Sequence, residues 1–343
     1  MNEYPCENDC GVNPFPNQSL LDLHMRDFCP KRYADQPATG EVVVPLQQSH
    51  LDVETSAQFL YPKPVAGLRI EAPVKAKIER ILKAAEQTGE PQNLLLIGPS
   101  GCAKTTLAFH IAGMLGRPLA KINMQMITEA SQVYGFREAN AVEGTTYKLG
   151  QFPIAVSTEG CIVLLDDVAH VHDRTITNGL LPALDFTRVV WIDYLGEFIK
   201  VAPKVIIIGT GNQGYQYGGA TKLDRAVVSR FENRIYMSHP PEDVVVDILT
   251  ERTGINASDA QRLARFAKLL RDARAPVEVD MRGLLAAAKD MAYGASYFDA
   301  VTYTLLGDLD EQKMEDIKFK ISDSMTEAEN AAASKDIRWE VWR

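Results

Sequence analysis

The sequence predicts an α/β fold, a parallel sheet flanked by helices, followed by an all-helical domain. Three observations carry this. Short apolar runs, "NLLLIG", "CIVLLDD" and "KVIIIGTGN", alternate with segments of helical periodicity. Apolar runs of that length without polar alternation are strands covered on both faces, the usual state of a parallel sheet. A glycine-containing turn, "GPSGCAKTT", joins the first run to a helical segment. Beyond about residue 240 the strand-like runs stop, and only helical patterns follow.

Bulk properties fit a cytoplasmic globular protein. The chain has 343 residues, 46% hydrophobic and 24% charged, with a net charge of −9. That charge argues against broad electrostatic binding to DNA or an anionic membrane. No run of 18 apolar residues is present, so no membrane span is expected. The start, "MNEYPCENDCG", is acidic and lacks the apolar core of a secretory signal. Five cysteines in a reducing compartment are not read as a disulfide framework.

In chain order, residues 1–30 hold a candidate Zn²⁺ module. Cys6, Cys10, His24 and Cys29 have C2HC spacing. Phe15 and Leu21 are placed as in a ββα finger, and "NQSLLDLHMRDF" would carry His24 on its inner face. The competing reading is four unrelated residues in a disordered tail. If His24 is the seventh helical position, the base-reading places fall on Asn17, Leu20 and Leu23. Two leucines there make no bidentate base contact, so protein docking is favoured over nucleic acid. Residues 31–66, rich in Pro, Gln, Ser and Thr, read as linker.

The α/β nucleotide-binding domain is expected over 67–238. "PVKAKIERILKAAEQTG" has helical spacing and ends at Gly89. "NLLLIG" leads into Gly98, Pro99, Ser100, Gly101, Cys102, Ala103, Lys104, Thr105 and Thr106, and "TTLAFHIAGMLG" continues as a helix. This is the pattern of a phosphate-binding loop, with Ala103 where a second glycine is usual. Such a loop aims backbone N–H groups at phosphates, gives a lysine to the β/γ oxygens and a hydroxyl to Mg²⁺. Ala103 is tolerable there with a negative φ, as expected at a helix start. "CIVLLDD" ends in Asp166 and Asp167, where one acid can hold Mg²⁺ and its neighbour can polarise water. "KVIIIGTGN" ends in Thr210 and Asn212, polar groups within reach of a γ-phosphate or water. His170 and His172 lack matching ligands and read as loop histidines.

A helical lid is expected over 239–305, from "PEDVVVDILTERTG", "SDAQRLARFAKLLRDAR" and "DMRGLLAAAKDMAYG". Residues 306–343 read as a charged tail, partly helical.

The order of loop, "LLDD", "GTGN", "SRF" and "DMRGLL" resembles the AAA+ ATPases. Within them it is similar to the MoxR-like group, close to the AAA_5 type of the CbbQ/NorQ activators and the cobaltochelatase CobS. MoxR-like loops often carry Ala before the lysine, so Ala103 is in keeping. "SQVYGFREANAVEGTTYKLG" resembles the group's helix-2 insert, and "GLLPALDFTRVVWID" its helix followed by a hairpin. The resemblance covers roughly residues 60–300. It implies ATP as substrate, with Lys104 on phosphate, Thr105 and Asp166 on Mg²⁺, and Asn212 as sensor 1. Arg230 matches the arginine finger, with Arg225 second, and Arg282 matches sensor 2. Asp167 stands where the group usually has Glu. One methylene less can misplace the water, and slow hydrolysis or a long-lived ATP state follows from that.

The resemblance further implies a homo-oligomeric ring, expected as a hexamer, that remodels or activates a client protein, often one with a von Willebrand A domain. Two alternatives stay open at this point: a nucleic-acid motor or restriction/defence-type NTPase, and a slow-hydrolysing nucleotide-dependent scaffold.

Overall fold

The structure is a computed structural model, and it describes residues 59–140, 144–171, 174–212, 225–273, 277, 279–306 and 339–341. The proposed zinc ligands Cys6, Cys10, His24 and Cys29 lie outside them.

Five parallel strands form the central sheet. They are β2 (Gln92–Gly98), β3 (Leu119–Asn123), β6 (Ile162–Asp166), β9 (Ile206–Asn212) and β10 (Asn233–Tyr236). Their order is β10-β2-β9-β6-β3. Alternation along β2 sends Leu94 and Leu96 to one core and Leu95 and Ile97 to the other. The first core packs helices α1 (Ala72–Thr88) and α2 (Lys104–Leu115) against one face of the sheet. The second packs α3 (Ala130–Tyr134), α4 (Gln151–Ser157), α5 (Arg174–Leu184) and α6 (Arg225–Arg230) against the other. Helix α1 closes on Gly89 at φ 71°, a left-handed cap whose N–H donates to the Ala85 carbonyl.

Two antiparallel hairpins stand outside the sheet: β4 (Gly135–Asn140) with β5 (Gly144–Leu149), and β7 (Val189–Ile192) with β8 (Glu197–Lys200). A third core unites α7 (Glu242–Thr253), α8 (Ala257–Asp272), α9 (Met281–Ala292) and the turn after α10 (Tyr297–Asp299). Helix α9 is capped by Asp280, whose Oδ1 accepts from the Gly283 N–H at 2.9 Å. Arg69 ties these helices to the α/β part through Asp247 at 3.0 Å and through Glu251.

The expectation that strands end near residue 240 needs correction. Trp339–Val341 forms β11, antiparallel to β1 (Arg69–Glu71). A three-residue strand has too little periodicity to stand out in a charged tail. Among the described residues no helix is long and apolar enough to cross a membrane.

Candidate functional site

The carboxyl ends of β2, β6 and β9 meet at one edge of the sheet, where α/β folds place their ligands. The register sets Gly98 opposite Asn212, and Asp166 one step beyond the Leu165–Gly209 pair. Residues far apart in sequence therefore converge on the loop.

In the loop itself, Lys104 is 8% exposed. Its ammonium donates to the carbonyls of Gly98 at 3.0 Å and Pro99 at 2.6 Å. Burial holds its pKa below the ordinary lysine value, partly offset by Cys102 and Asp167. Helix α2 begins at Lys104 with no side chain capping its first turn. Its leading N–H groups and dipole therefore face the loop, as an anion site requires. The loop also fits tightly beneath α9. A Cβ at Gly101, where φ is 67°, would come 2.6 Å from the Asp280 Cβ, and Ser100 Oγ donates to Asp280 Oδ2 at 3.3 Å.

Ala103 departs from the negative φ expected of it. Its backbone is left-handed, at φ 70° and ψ 21°. The turn keeps the glycine conformation although the residue has a Cβ. For L-residues that costs about 1–2 kcal/mol, while glycine's extra freedom in the unfolded chain costs about 0.4–1 kcal/mol. The Ala103 methyl also packs against the first core, so Ala103→Gly is expected to raise stability by at most about 1 kcal/mol in urea unfolding, without loss of nucleotide binding. Lower stability in the glycine variant would mean that the methyl group is better accommodated than the backbone angle implies.

Asp166 is the hub of the site. Its Oδ1 accepts from Thr105 Oγ1 and Thr210 Oγ1, both at 2.8 Å, and its Oδ2 lies 3.1 Å from Lys121 Nζ. Burial would raise this carboxyl, but the hydrogen bonds from Thr105, Thr210 and Lys121 outweigh it and hold the group below the usual range. The Thr105 hydroxyl and the Asp166 carboxylate are hard oxygen donors side by side, a set that suits Mg²⁺.

Asp167 is left-handed as well, at φ 65° and ψ 55°. Its N–H donates to Thr210 Oγ1 at 2.8 Å, and its Oδ2 accepts from Gln125 Nε2 at 2.8 Å and Asn212 Nδ2 at 3.3 Å. Aspartate enters this backbone region more readily than most side chains, which gives a local reason for Asp here.

Of the three predicted arginines, Arg282 lies on the loop side and Arg225 and Arg230 lie on α6. Arg282 is exposed in the first turn of α9, and its charge is felt at Lys104. Arg225 opens α6 and Arg230 closes it. The Arg230 carbonyl is bonded to Asn93 near the start of β2. The loop begins five residues further along that strand, about 16 Å at about 3.3 Å per residue.

Sequence reading missed Lys121, Gln125 and Asp280. The signal for the first two was "LAKINMQM", a short run whose lysine masked the edge strand β3. Asp280 is legible as a helix cap, but not as a neighbour of the loop.

A strand–loop–helix phosphate cradle, an acid hub on the next strand but one, and a helical lid over the loop define a P-loop nucleotide-binding protein of the AAA+ class. Residues 93–231 match the family described as AAA domain (dynein-related subfamily). The chain is 31% identical over 232 residues to the "Putative chaperone BssE" of Thauera aromatica, covering 67% of this chain and 79% of that one. It is 32% identical over 178 residues to "Protein NorQ" of Paracoccus denitrificans (strain Pd 1222), covering 52% of this chain and 64% of that one. With "Protein CbbQ" of Hydrogenophilus thermoluteolus it is 28% identical over 174 residues, covering 51% and 63%. The chain belongs to this AAA family, as a MoxR-like AAA+ protein.

Proposed function

We propose that this chain binds and hydrolyses Mg-ATP as a subunit of a ring, expected as a hexamer, and uses the cycle to remodel or activate a partner protein. One observation carries the reading: Asp166 gathers Thr105 from the loop helix and Thr210 from β9 onto one oxygen, beside the buried Lys104.

The residues have distinct tasks. Lys104 would exchange the carbonyls of Gly98 and Pro99 for phosphate oxygens, while the N–H groups of residues 101 to 106 cradle the phosphates. Mg²⁺, held by Thr105 and Asp166, would neutralise charge on the β- and γ-phosphates. Asp167, steered by Asn212 and Gln125, would orient the attacking water and take its proton. Arg282 would approach the phosphates from the lid. Arg230 would act on the neighbouring subunit's nucleotide, with Arg225 second to it.

The name "Putative chaperone BssE" given to one relative supports a protein client. A von Willebrand A domain protein is the expected type, and the cytoplasm the expected location. The net charge of −9 weighs against nucleic acid.

The test is turnover. Asp167→Asn should still bind ATP but hydrolyse it about 10²-fold or more slowly. Wild-type turnover should rise with a protein client and not with DNA or RNA. Full-rate hydrolysis by Asp167→Asn, or stimulation by nucleic acid alone, would overturn the reading. The same preparation, made without chelator, should carry one equivalent of Zn²⁺ on Cys6, Cys10, His24 and Cys29. Less than half an equivalent removes zinc from the proposal.

A further inference from the structure

At the amino-terminal edge of the sheet, far from the loop, lies a buried polar cluster that the nucleotide chemistry does not use. Asn93, the second residue of β2, is fully buried among apolar strands. A buried amide is retained only when its hydrogen bonds are met. Here its Nδ2 donates to the Leu184 carbonyl at 2.6 Å and the Arg230 carbonyl at 3.1 Å. Its Oδ1 accepts from Arg188 Nη1 at 2.6 Å. The two carbonyls are those of the last residues of α5 and α6. Asn93 therefore staples two helix ends to the strand that leads into the loop.

Arg188 completes the cluster. Its side chain is 16% exposed, and its backbone is left-handed at φ 51°. Besides Asn93 it donates to the Ala183 carbonyl at 3.3 Å and the Pro91 carbonyl at 3.1 Å. The guanidinium thus binds the end of α5 and the entry to β2 together.

All of this converges on Arg230. Its carbonyl is held by Asn93. The next residue, Phe231, is fully buried, with its ring where a Cβ at Gly209 would come within 2.8 Å. The Arg230 guanidinium, on a side chain 44% exposed, points to Asp185 Oδ2 at 3.9 Å. Asp185 is itself fixed by Thr187, whose N–H donates to its Oδ1 at 2.8 Å. The last carbonyl of a helix needs a partner in any case; here one buried amide serves both helix ends, so the place of Arg230 is tied to that of Leu184 and of β2.

We infer that Asn93 and Arg188 are positioning residues for Arg230: a buried amide–guanidinium node that sets where the arginine emerges toward a second copy of this chain. The inference rests on the proposed role of Arg230 in trans. Neither residue touches the loop of its own subunit, so the node governs what a subunit does to its neighbour and not how it binds its own ATP.

The experiment is complementation in mixed rings of the full chain. Three variants are each assayed alone and in pairs: Asn93→Ala, Arg230→Ala and Asp166→Ala. Alone, Asn93→Ala should lose about 10²-fold in kcat, the scale of an ångström's misplacement of a catalytic group, with its affinity for ATP unchanged. Mixed with Asp166→Ala, which supplies an intact arginine, it should recover activity. Mixed with Arg230→Ala it should not. A merely structural asparagine on the loop strand gives the opposite result, since its own loop would be damaged and Arg230→Ala would rescue it. That outcome overturns the inference, as does rescue by neither partner, or full activity of Asn93→Ala alone. If Asp166→Ala and Arg230→Ala fail to complement each other, the role of Arg230 in trans falls, and the inference falls with it. Should Asn93→Ala not fold, Arg188→Met, which keeps a stem of similar length and removes the guanidinium, goes through the same pairings with the same outcomes decisive.

Discussion

Lys104→Ala is expected to abolish ATP binding and leave the fold intact. The lysine's polar contacts are local: the carbonyls of Gly98 and Pro99, and Cys102 Sγ at 3.8 Å. It is in none of the three apolar cores. Its burial keeps an ammonium out of water, so deleting it removes a desolvation penalty along with the hydrogen bonds. The fold should therefore lose little. Binding should lose much, because charge-assisted bonds to phosphate are worth about 1.5–3 kcal/mol each. Two of them amount to about 10²-fold or more in Kd. Saturating ATP should raise the Tm of the wild type by mass action and leave the variant's Tm where it was. Calorimetry showing unchanged ATP affinity in a folded Lys104→Ala protein would refute the assignment of the loop.

The loop, the acid pair and "GTGN" were legible because their chemistry is local. A turn, a hydroxyl and a carboxylate announce themselves at the ends of apolar runs such as "NLLLIG" and "CIVLLDD". The strands β3 and β10 were not legible, since edge strands need not be apolar on both faces. "LAKIN" carries Lys121 and "NRIY" carries Arg234, and each reads as loop until β6 or β2 supplies the neighbour. The φ of Ala103 was misread for a different reason. A helix start suggests negative φ, but Ala103 is the N-cap, the last residue of the turn and not the first of the helix, and it keeps a left-handed angle. The contacts of Asn93 with Arg188 and Arg230, and of Ser100 with Asp280, span 95, 137 and 180 residues. No periodicity encodes such pairings, so they emerge only once the sheet order is known.

Arg230→Ala is expected to keep ATP binding and lose turnover by about 10³–10⁵-fold, the worth of such an arginine in related P-loop systems. Geometry argues that the arginine does not serve its own nucleotide. β10 runs parallel to β2, with Asn233 opposite Leu94, so the chain passes Arg230 below the start of β2 before climbing toward the loop edge. From there one side chain cannot span the strand to reach the phosphates beside Lys104. In the proposed ring its target is a neighbour's nucleotide. In that position the guanidinium must leave Asp185, and a pair held at 3.9 Å with its arginine half-exposed is weak, on the order of 1 kcal/mol, so release costs little. Mixing Arg230→Ala with Asp166→Ala should then restore part of the activity although both parents are inactive. Some interfaces in each mixed ring join an intact loop to an intact arginine. Recovery by Arg225→Ala in place of Arg230→Ala would move the assignment to Arg225, at the opposite end of α6. A monomer hydrolysing ATP at the full rate would refute the ring, because an arginine mounted at the far edge of the sheet has no phosphate to meet in a single chain.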